Sequence, residues 1–202
     1  MCSSDLHHLG EVAAKRVMDV ALSSFGLLIL SPLLGLVALL VKLSDGGPVF
    51  YVQERMGFNG RRFRMYKFRS MRIDAESATG PVWAKPGDDR RTRLGSFLRA
   101  SSIDELPQLY NVLRGDMSLV GPRPERPFFI NNFRKSVPRY MLRHAAKAGI
   151  TGWAQVNGWR GDTSLRKRVQ YDLYYISNWS LWLDLRILTM TLLKAMWDKN
   201  AY

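Results

Sequence analysis

The chain has 202 residues, a formal net charge of +13 at pH 7, a single cysteine and three histidines. This length is enough for one domain with its own core. One cysteine excludes an internal disulfide, and three histidines leave almost nothing for a histidine zinc site or a Ser-His-Asp triad. The excess of positive charge predicts an anionic partner: a nucleic acid, a lipid headgroup surface or a phosphorylated small molecule.

The first predicted element is the uncharged, apolar segment at residues 20–41. As a straight helix it would be about 33 Å long, just enough for a hydrocarbon core of about 30 Å. Ser31 and Pro32 lie at its middle, where proline removes a backbone hydrogen bond. Positive residues flank both ends, which favours the cytoplasmic side for both. A membrane helix that enters, breaks at Ser31-Pro32 and returns fits these facts; a spanning helix kinked at proline stays open.

The middle of the chain predicts a β-hairpin followed by short helices. Segments 49–52 and 63–68 flank Gly57-Phe58-Asn59-Gly60, whose Asn-Gly pair is typical of a hairpin turn. Residues 74–93 are polar and rich in turn residues, which predicts a loop or a short broken helix. The other predictions are helices at 94–100, 103–113, 128–144 and 165–177, a strand at 117–120, and turns at 149–153 and 158–161.

The last predicted helix covers residues 179–197, with leucines along one broad stripe. Tryptophans and lysines near its ends are typical of a helix that lies at a membrane interface. These residues are Trp179, Trp182, Trp197, Lys194 and Lys199. A terminal helix packed into the core is the alternative.

Two acids stand side by side in this basic chain, at Asp104 and Glu105. Ser102-Ile103-Asp104-Glu105 fits a capping box, in which Ser102 begins a helix and Glu105 closes the cap. Adjacent helical residues point about 100° apart, so these two carboxyl groups cannot share one proton as facing carboxylates do. Residues 102–105 therefore predict either a helix cap or a pair of reacting carboxyl groups with different roles.

A series of short motifs resembles the bacterial sugar transferases, which are monotopic polyprenyl-phosphate phosphoglycosyl transferases. In order, these are Lys15-Arg16-x-x-Asp19, the apolar run with Ser31-Pro32, Tyr66-Lys67-Phe68-Arg69-Ser70-Met71, Asp104-Glu105-Leu106-Pro107-Gln108, Asn111-Val112-Leu113-Arg114-Gly115-Asp116-Met117-Ser118, Val120-Gly121-Pro122-Arg123-Pro124, Gly149-Ile150-Thr151-Gly152-Trp153 and Tyr171-Asp172-Leu173-Tyr174-Tyr175. The C-terminal part is similar to the undecaprenyl-phosphate glucose or galactose phosphotransferase branch. Larger members of that branch carry several N-terminal membrane helices and a further domain.

The resemblance implies an α+β fold that is mostly helical. It consists of an N-terminal re-entrant membrane helix, a β-hairpin, and amphipathic interfacial helices around a small cytosolic catalytic domain. The implied division is a tail at residues 1–11, the re-entrant helix segment at 12–44 and one catalytic unit at 45–202. The expected location is the cytoplasmic face of the bacterial inner membrane. The expected partners are a UDP-sugar, undecaprenyl phosphate and inner-membrane lipids; nucleic acid is not expected, and a homodimer stays open.

The resemblance also implies a reaction. A hexose 1-phosphate, of glucose or galactose, moves from the UDP-sugar to undecaprenyl phosphate and UMP is released, as a first step of exopolysaccharide or glycoconjugate assembly. Asp104 is implied as the nucleophile that forms a covalent phosphosugar intermediate. Glu105 is implied as the ligand of Mg²⁺, which offsets the repulsion between a carboxylate and a diphosphate.

Further residues are implied to bind phosphate or nucleotide. They are Lys67, Arg99, Pro122, Arg123, Pro124 and Asp172. The proline pair fixes a rigid loop around Arg123. For the cations the alternative is a solvated surface position, and for Asp172 it is a salt bridge to a nearby cation.

Two other functions compete with this one. A non-enzymatic membrane-anchored module that binds anionic lipid or nucleic acid would explain the charge and the apolar segment, but not the acidic pair. An enzyme that transfers the sugar directly, without a covalent step, would release UDP in place of UMP.

Overall fold

The computed structural model describes residues 3–76, 80, 82, 88–161 and 163–197, with side chains from residue 10 to residue 194. The helices and strands are α1 (Ser3–Asp45), β1 (Phe50–Met56), β2 (Arg62–Phe68), α2 (Arg93–Ala100), α3 (Gln108–Arg114), β3 (Ser118–Val120), α4 (Pro127–Ser136), β4 (Gly149–Thr151), α5 (Trp153–Val156), α6 (Leu165–Ser177) and α7 (Leu181–Trp197). Short 3-10 helices lie at Phe58–Gly60, Ile103–Glu105 and Tyr140–Ala145. The mostly helical α+β prediction is confirmed. Much of the predicted loop at 74–93, including Lys85-Pro86-Gly87, lies outside the described residues.

The predicted hairpin is present and longer than expected. Strands β1 and β2 pair antiparallel from Phe50 opposite Phe68 to Met56 opposite Arg62. Asn59 and Gly60 both adopt positive φ angles, of 51° and 72°, which is the backbone geometry that asparagine and glycine tolerate best. The Asn-Gly signal therefore located the turn correctly.

A second, two-stranded sheet replaces the turn that was predicted at residues 149–153. Strand β3 pairs in parallel with β4, with Ser118 opposite Gly149 and Val120 opposite Thr151. The chains approach so closely that a Cβ at Gly149 would collide with the backbone of Gly121. The Gly149 N–H donates to the carbonyl of Pro122 at 3.0 Å, which fixes the start of the Pro122-Arg123-Pro124 loop.

Helix α1 is not interrupted at Ser31-Pro32, where the sequence predicted a break. Pro32 cannot donate to the carbonyl of Leu28, four residues before it. The Ser31 hydroxyl donates to that carbonyl instead, at 2.8 Å, so the freed acceptor is satisfied inside the helix. The helix also begins at Ser3, inside the segment predicted as a separate tail.

One stripe of α1 packs against the rest of the protein along most of its length. Its buried members are Asp19, Ser23, Val37 and Val41, which follow a spacing typical of one helical face. Asp19 accepts hydrogen bonds from the Ser118 hydroxyl at 3.1 Å and the Leu119 N–H at 3.0 Å. The other faces are exposed and apolar, and 36 residues, Gly10–Asp45, are long and apolar enough to cross a membrane.

A buried ion pair joins α1 to α7. The carboxylate of Asp184 is fully buried and accepts hydrogen bonds from Lys15 Nζ at 2.5 Å, the Tyr175 hydroxyl at 2.7 Å and Trp179 Nε1 at 3.1 Å. On the opposite side of α7, Trp182 is 76% exposed. Helix α7 therefore packs one face into the core and leaves an apolar face open. The side chain of Trp197 and all of Lys199 lie outside the described residues.

We expect Asp184→Ala to lower the free energy of unfolding by about 3–5 kcal/mol, because it leaves the largely buried ammonium of Lys15 without its carboxylate partner. Chemical denaturation of the detergent-solubilised protein measures the change. Glu54→Ala is the matched control, because its ion pair with Arg62 at 3.3 Å is largely exposed, and exposed pairs contribute at most about 1 kcal/mol. Equal losses in the two variants would contradict the assignment of Asp184 as a structural anchor.

Candidate active site

The acidic pair lies in a short 3-10 helix, Ile103–Glu105, and both side chains are buried. The capping-box prediction is wrong. Ser102 adopts a left-handed conformation, with φ 55° and ψ 15°, and its side chain makes no cap hydrogen bond. The backbone N–H of Glu105 bonds to the carbonyl of Ser102 instead, at 3.1 Å. Both carboxyl groups are therefore available for contacts outside their own helix.

Glu105 is held by three cations from different parts of the chain. Its Oε1 accepts from Lys67 Nζ at 2.7 Å and from Arg123 Nη2 at 2.6 Å, and Arg160 Nη2 lies 3.4 Å away. Burial alone would raise the pKa of Glu105, but Arg123, Lys67 and Arg160 together hold that pKa well below its ordinary value. Glu105 is therefore ionised at neutral pH and concentrates positive charge around its carboxylate.

Asp104 is in a different position, although it is equally buried. No ion pair or hydrogen bond to its carboxyl group is found within the described residues. Burial raises the pKa of Asp104, against the opposing influence of Lys67, and the neighbouring charge of Glu105 raises it further. A carboxylate that is poorly solvated and not bound to a cation is suited to attack an electrophile.

Both acids line a cavity of about 340 Å³. Its wall contains eleven arginine or lysine side chains and four acidic ones among the described residues. The cations are Arg55, Lys67, Arg69, Arg72, Arg90, Arg91, Arg99, Arg123, Arg126, Arg160 and Arg168. Such a concentration of guanidinium groups favours a ligand with several phosphate charges.

The structure brings Lys67, Arg99 and Arg123 together with the acidic pair on this cavity. Their role in binding phosphate stays a prediction. Pro122 and Pro124 do not line this cavity. They hold the loop in place: the carbonyl of Pro124 accepts from Arg55 Nη1 at 3.1 Å.

Asp172 lies behind this loop and forms the salt bridge that was the alternative to an active-site role. Arg143 Nη2 donates to Asp172 Oδ2 at 2.6 Å and also to the carbonyl of Arg123 at 3.0 Å. Asp172 therefore fixes Arg143, and Arg143 fixes the backbone of the residue that contacts Glu105.

Two residues of this arrangement were missed by the sequence analysis, Arg143 and Arg160. Arg160 stands between Gly158 and Gly161, whose φ angles are 85° and 68°. The turn was predicted at these glycines, but nothing in it indicated that the arginine would reach Glu105. The only signal was Arg160 itself, a cation at the tip of a glycine-bounded turn.

A magnesium site was also expected here. Among the described residues, no group of three or more His, Cys, Asp or Glu side chains could hold a metal ion. Mg²⁺ usually needs fewer protein ligands, because it takes one or two carboxylates and completes its shell with water and substrate phosphates. Asp104 and Glu105 supply two such carboxylates on the cavity wall. These are oxygen ligands of the kind that Mg²⁺ takes, and the magnesium site stays a prediction.

The sequence model of the family described as bacterial sugar transferase matches residues 10–198. The chain belongs to this family. It is 50% identical over 195 residues to the UDP-glucose:undecaprenyl-phosphate glucose-1-phosphate transferase of Xanthomonas campestris pv. campestris, covering 95% of this chain and 40% of that protein. A protein of the same name from Caulobacter vibrioides is 45% identical, over 93% of this chain and 72% of its own length.

Relatives with another named sugar are about as similar. The UDP-N-acetylgalactosamine-undecaprenyl-phosphate N-acetylgalactosaminephosphotransferase of Aeromonas hydrophila is 47% identical, over 88% of this chain and 42% of that protein. The bacterial sugar transferase branch expected from the sequence, that of undecaprenyl-phosphate glucose phosphotransferases, is confirmed. The chain spans about two fifths of the length of the first of these relatives.

Proposed function

We propose that the protein transfers a sugar 1-phosphate from a UDP-sugar to undecaprenyl phosphate and releases UMP. The observation that carries this proposal is the contrast inside the acidic pair: Glu105 is held by three cations, whereas Asp104 faces the same cavity without one. The names of the relatives agree with these substrates. Glucose is the first sugar to test, and galactose and N-acetylgalactosamine are the next. The lipid-linked product would begin the assembly of an exopolysaccharide or glycoconjugate.

The chemistry that suits this geometry has two steps. A carboxylate oxygen of Asp104 attacks the β-phosphorus of the UDP-sugar, and the bond to the oxygen bridging the two phosphates breaks. The bonding electrons leave with UMP, and a phosphosugar remains on Asp104. In the second step a phosphate oxygen of the polyprenyl phosphate attacks the same phosphorus. The Asp104–phosphorus bond breaks, which frees the carboxylate and gives a polyprenyl-diphosphate sugar.

The cations of the cavity bind and orient the diphosphate in this proposal. Lys67 and Arg123 lie against Glu105, one residue from the nucleophile, so they can exchange part of that contact for phosphate oxygens. Arg99 lines the cavity near Asp104, and its charge favours the ionised carboxylate. Mg²⁺, with Glu105 as its protein ligand, would neutralise phosphate charge as UMP leaves.

One assay separates this function from its rivals. We expect purified protein in detergent, given undecaprenyl phosphate and a panel of UDP-sugars, to release UMP. Direct glycosyl transfer would release UDP, and a lipid- or nucleic-acid-binding module would release neither nucleotide. Sequential kinetics, with no label retained on the protein from a sugar-labelled donor, would exclude the covalent step. The assignment of the two substrates would still hold.

We also propose that α1 is re-entrant and that the catalytic unit lies on the cytoplasmic face of the inner membrane. Residues of α1 on both sides of Pro32 contact the rest of the protein. Arg16 donates to the carbonyls of Val112 and Leu113 at 2.6 and 2.7 Å, and Val37 and Val41 pack in another cluster of the core. A helix held in this way on both sides of its proline is poorly suited to leaving the domain and crossing the bilayer, and a bend at Pro32 would let both halves return.

The topology predicts a labelling pattern. In a Cys2→Ser background, Val12→Cys and Arg62→Cys should both resist an impermeant thiol reagent added outside intact cells. Adding Pro32→Leu should expose residue 12 in part of the population, because the helix regains its backbone hydrogen bond and a straight span becomes easier. Labelling of residue 12 without the proline change would contradict the re-entrant helix.

A further inference from the structure

The lining of the active-site cavity contains apolar side chains as well as cationic ones. We call four of them the apolar wall: Pro48, Phe50, Met71 and Ile73. Phe50 is 49% exposed and Ile73 is 66% exposed. The cationic residues and the acidic pair belong to the same cavity lining. A ligand that fills the whole cavity must therefore have an apolar part beside its charged part.

The apolar wall is continuous with the membrane helix. Ile73 lies against Gly47, two residues after α1 ends: its Cδ1 is 2.7 Å from the position that a Cβ at Gly47 would occupy. Phe50 stacks on Phe68, with ring centroids 5.5 Å apart, and Phe68 packs in turn against Val41 of α1. The wall thus begins where the apolar surface of α1 ends.

A buried cation lies between the wall and the end of α1. Arg69 lines the cavity, forms an ion pair with Asp45, and has one guanidinium nitrogen, Nη1, without a hydrogen-bond partner among the described residues. Apolar contact together with a nearby positive charge matches an isoprenoid phosphate. A nucleotide sugar could place only its base against such a wall. Because it is water-soluble, a nucleotide sugar also has no need of a binding surface that adjoins a membrane helix.

We propose that the apolar wall binds the first isoprene units of the polyprenyl phosphate acceptor as it leaves the bilayer, so that its phosphate faces Asp104. This inference rests on the proposed function. It assigns the two substrates to different side chains of one cavity: the diphosphate to the cations that lie against Glu105, and the lipid to the apolar wall. The second step of the reaction should then depend on the wall, and the first step should not.

The test compares Phe50→Gln and Ile73→Gln with Phe128→Gln. The control makes the same apolar-to-polar change at an exposed aromatic residue of α4 that does not line the cavity. Two reactions are measured for each protein in detergent micelles. The first is the single burst of UMP released from the UDP-sugar without acceptor. The second is steady-state turnover as a function of undecaprenyl phosphate concentration.

For the two wall variants we expect the UMP burst to stay within about twofold of wild type while the KM for undecaprenyl phosphate rises on the order of tenfold, since apolar contact with the lipid is lost. Phe128→Gln should change neither. An unchanged acceptor KM in both wall variants would overturn the inference, and so would a smaller burst with a raised KM for the UDP-sugar, which would assign the wall to the nucleotide. Absence of UMP release by the wild-type protein with every sugar would instead reject the proposed function.

Discussion

Asp104→Asn is expected to abolish UMP release, with a fall in kcat of at least about 10⁴-fold, because an amide cannot form the acyl phosphate. The same change should leave the protein as stable as wild type at neutral pH, or more stable. Burial raises the pKa of Asp104, so the ionised form costs stability above the ordinary pKa of an aspartate, and the neutral amide removes that cost. UMP release and thermal unfolding of the two proteins measure the two effects.

A trapped intermediate identifies the nucleophile directly. Wild-type protein incubated with a sugar-labelled UDP-sugar and no acceptor should retain label, which undecaprenyl phosphate should remove. Fragmentation of the labelled peptide should place the phosphosugar on Asp104; an adduct on Glu105 would exchange the roles of the two acids. Asp116→Asn is the matched control, because this aspartate lies outside the cavity lining and pairs with Arg114 at 3.4 Å.

Local sequence signals predicted the elements that depend on local contacts. The Asn59-Gly60 turn fixed the hairpin, and the uncharged segment at 20–41 lies within α1. The parallel pairing of β3 with β4 was not predicted, because the two strands have three residues each and their partners are about thirty residues apart. Hydrophobic periodicity cannot indicate so short a parallel contact, which here depends on glycines that let the backbones approach.

The candidate site was predicted only in part, because sequence motifs identify its residues but not the long-range contacts between them. The motifs named Asp104, Glu105, Lys67 and Arg123, and the structure brings all four together. The Ser102 cap failed because a left-handed backbone at that residue is set by its tertiary surroundings and not by the S-x-x-E pattern. Nothing in the sequence connects Arg160 with Glu105, since their contact exists only after the chain has folded.

Glu105→Gln is expected to lower both stability and activity, in contrast to Asp104→Asn. The cations Lys67, Arg123 and Arg160 would then surround a neutral amide, and breaking a buried ionic cluster costs about 3–5 kcal/mol. UMP release should fall on the order of 10²-fold, because the cations lose the charge that positions them beside the diphosphate. Loss of a proposed metal ligand should also raise the Mg²⁺ concentration needed for half-maximal rate.

Second-site changes separate these contributions. Lys67→Met added to Glu105→Gln should recover part of the lost stability, because it removes one of the cations left without a partner, but it should not recover activity. A stability loss that is unaffected by Lys67→Met would contradict the view that Glu105 mainly neutralises this cluster. Chemical denaturation of the two single variants and the double variant gives the coupling between the two residues.

The pH dependence of the first step follows from the opposite pKa shifts of the two acids. The pKa of Glu105 is depressed, so its ion pairs stabilise the fold above the unfolded pKa, and this contribution is lost as the pH falls through the lower folded value. The pKa of Asp104 is raised by burial and by the charge of Glu105, so attack should weaken on the acid side at a higher pH than for an ordinary aspartate. In Glu105→Gln one negative neighbour is gone, and the acid limb of single-turnover UMP release should move to lower pH. A limb that stays in place would show that the titrating group is not Asp104.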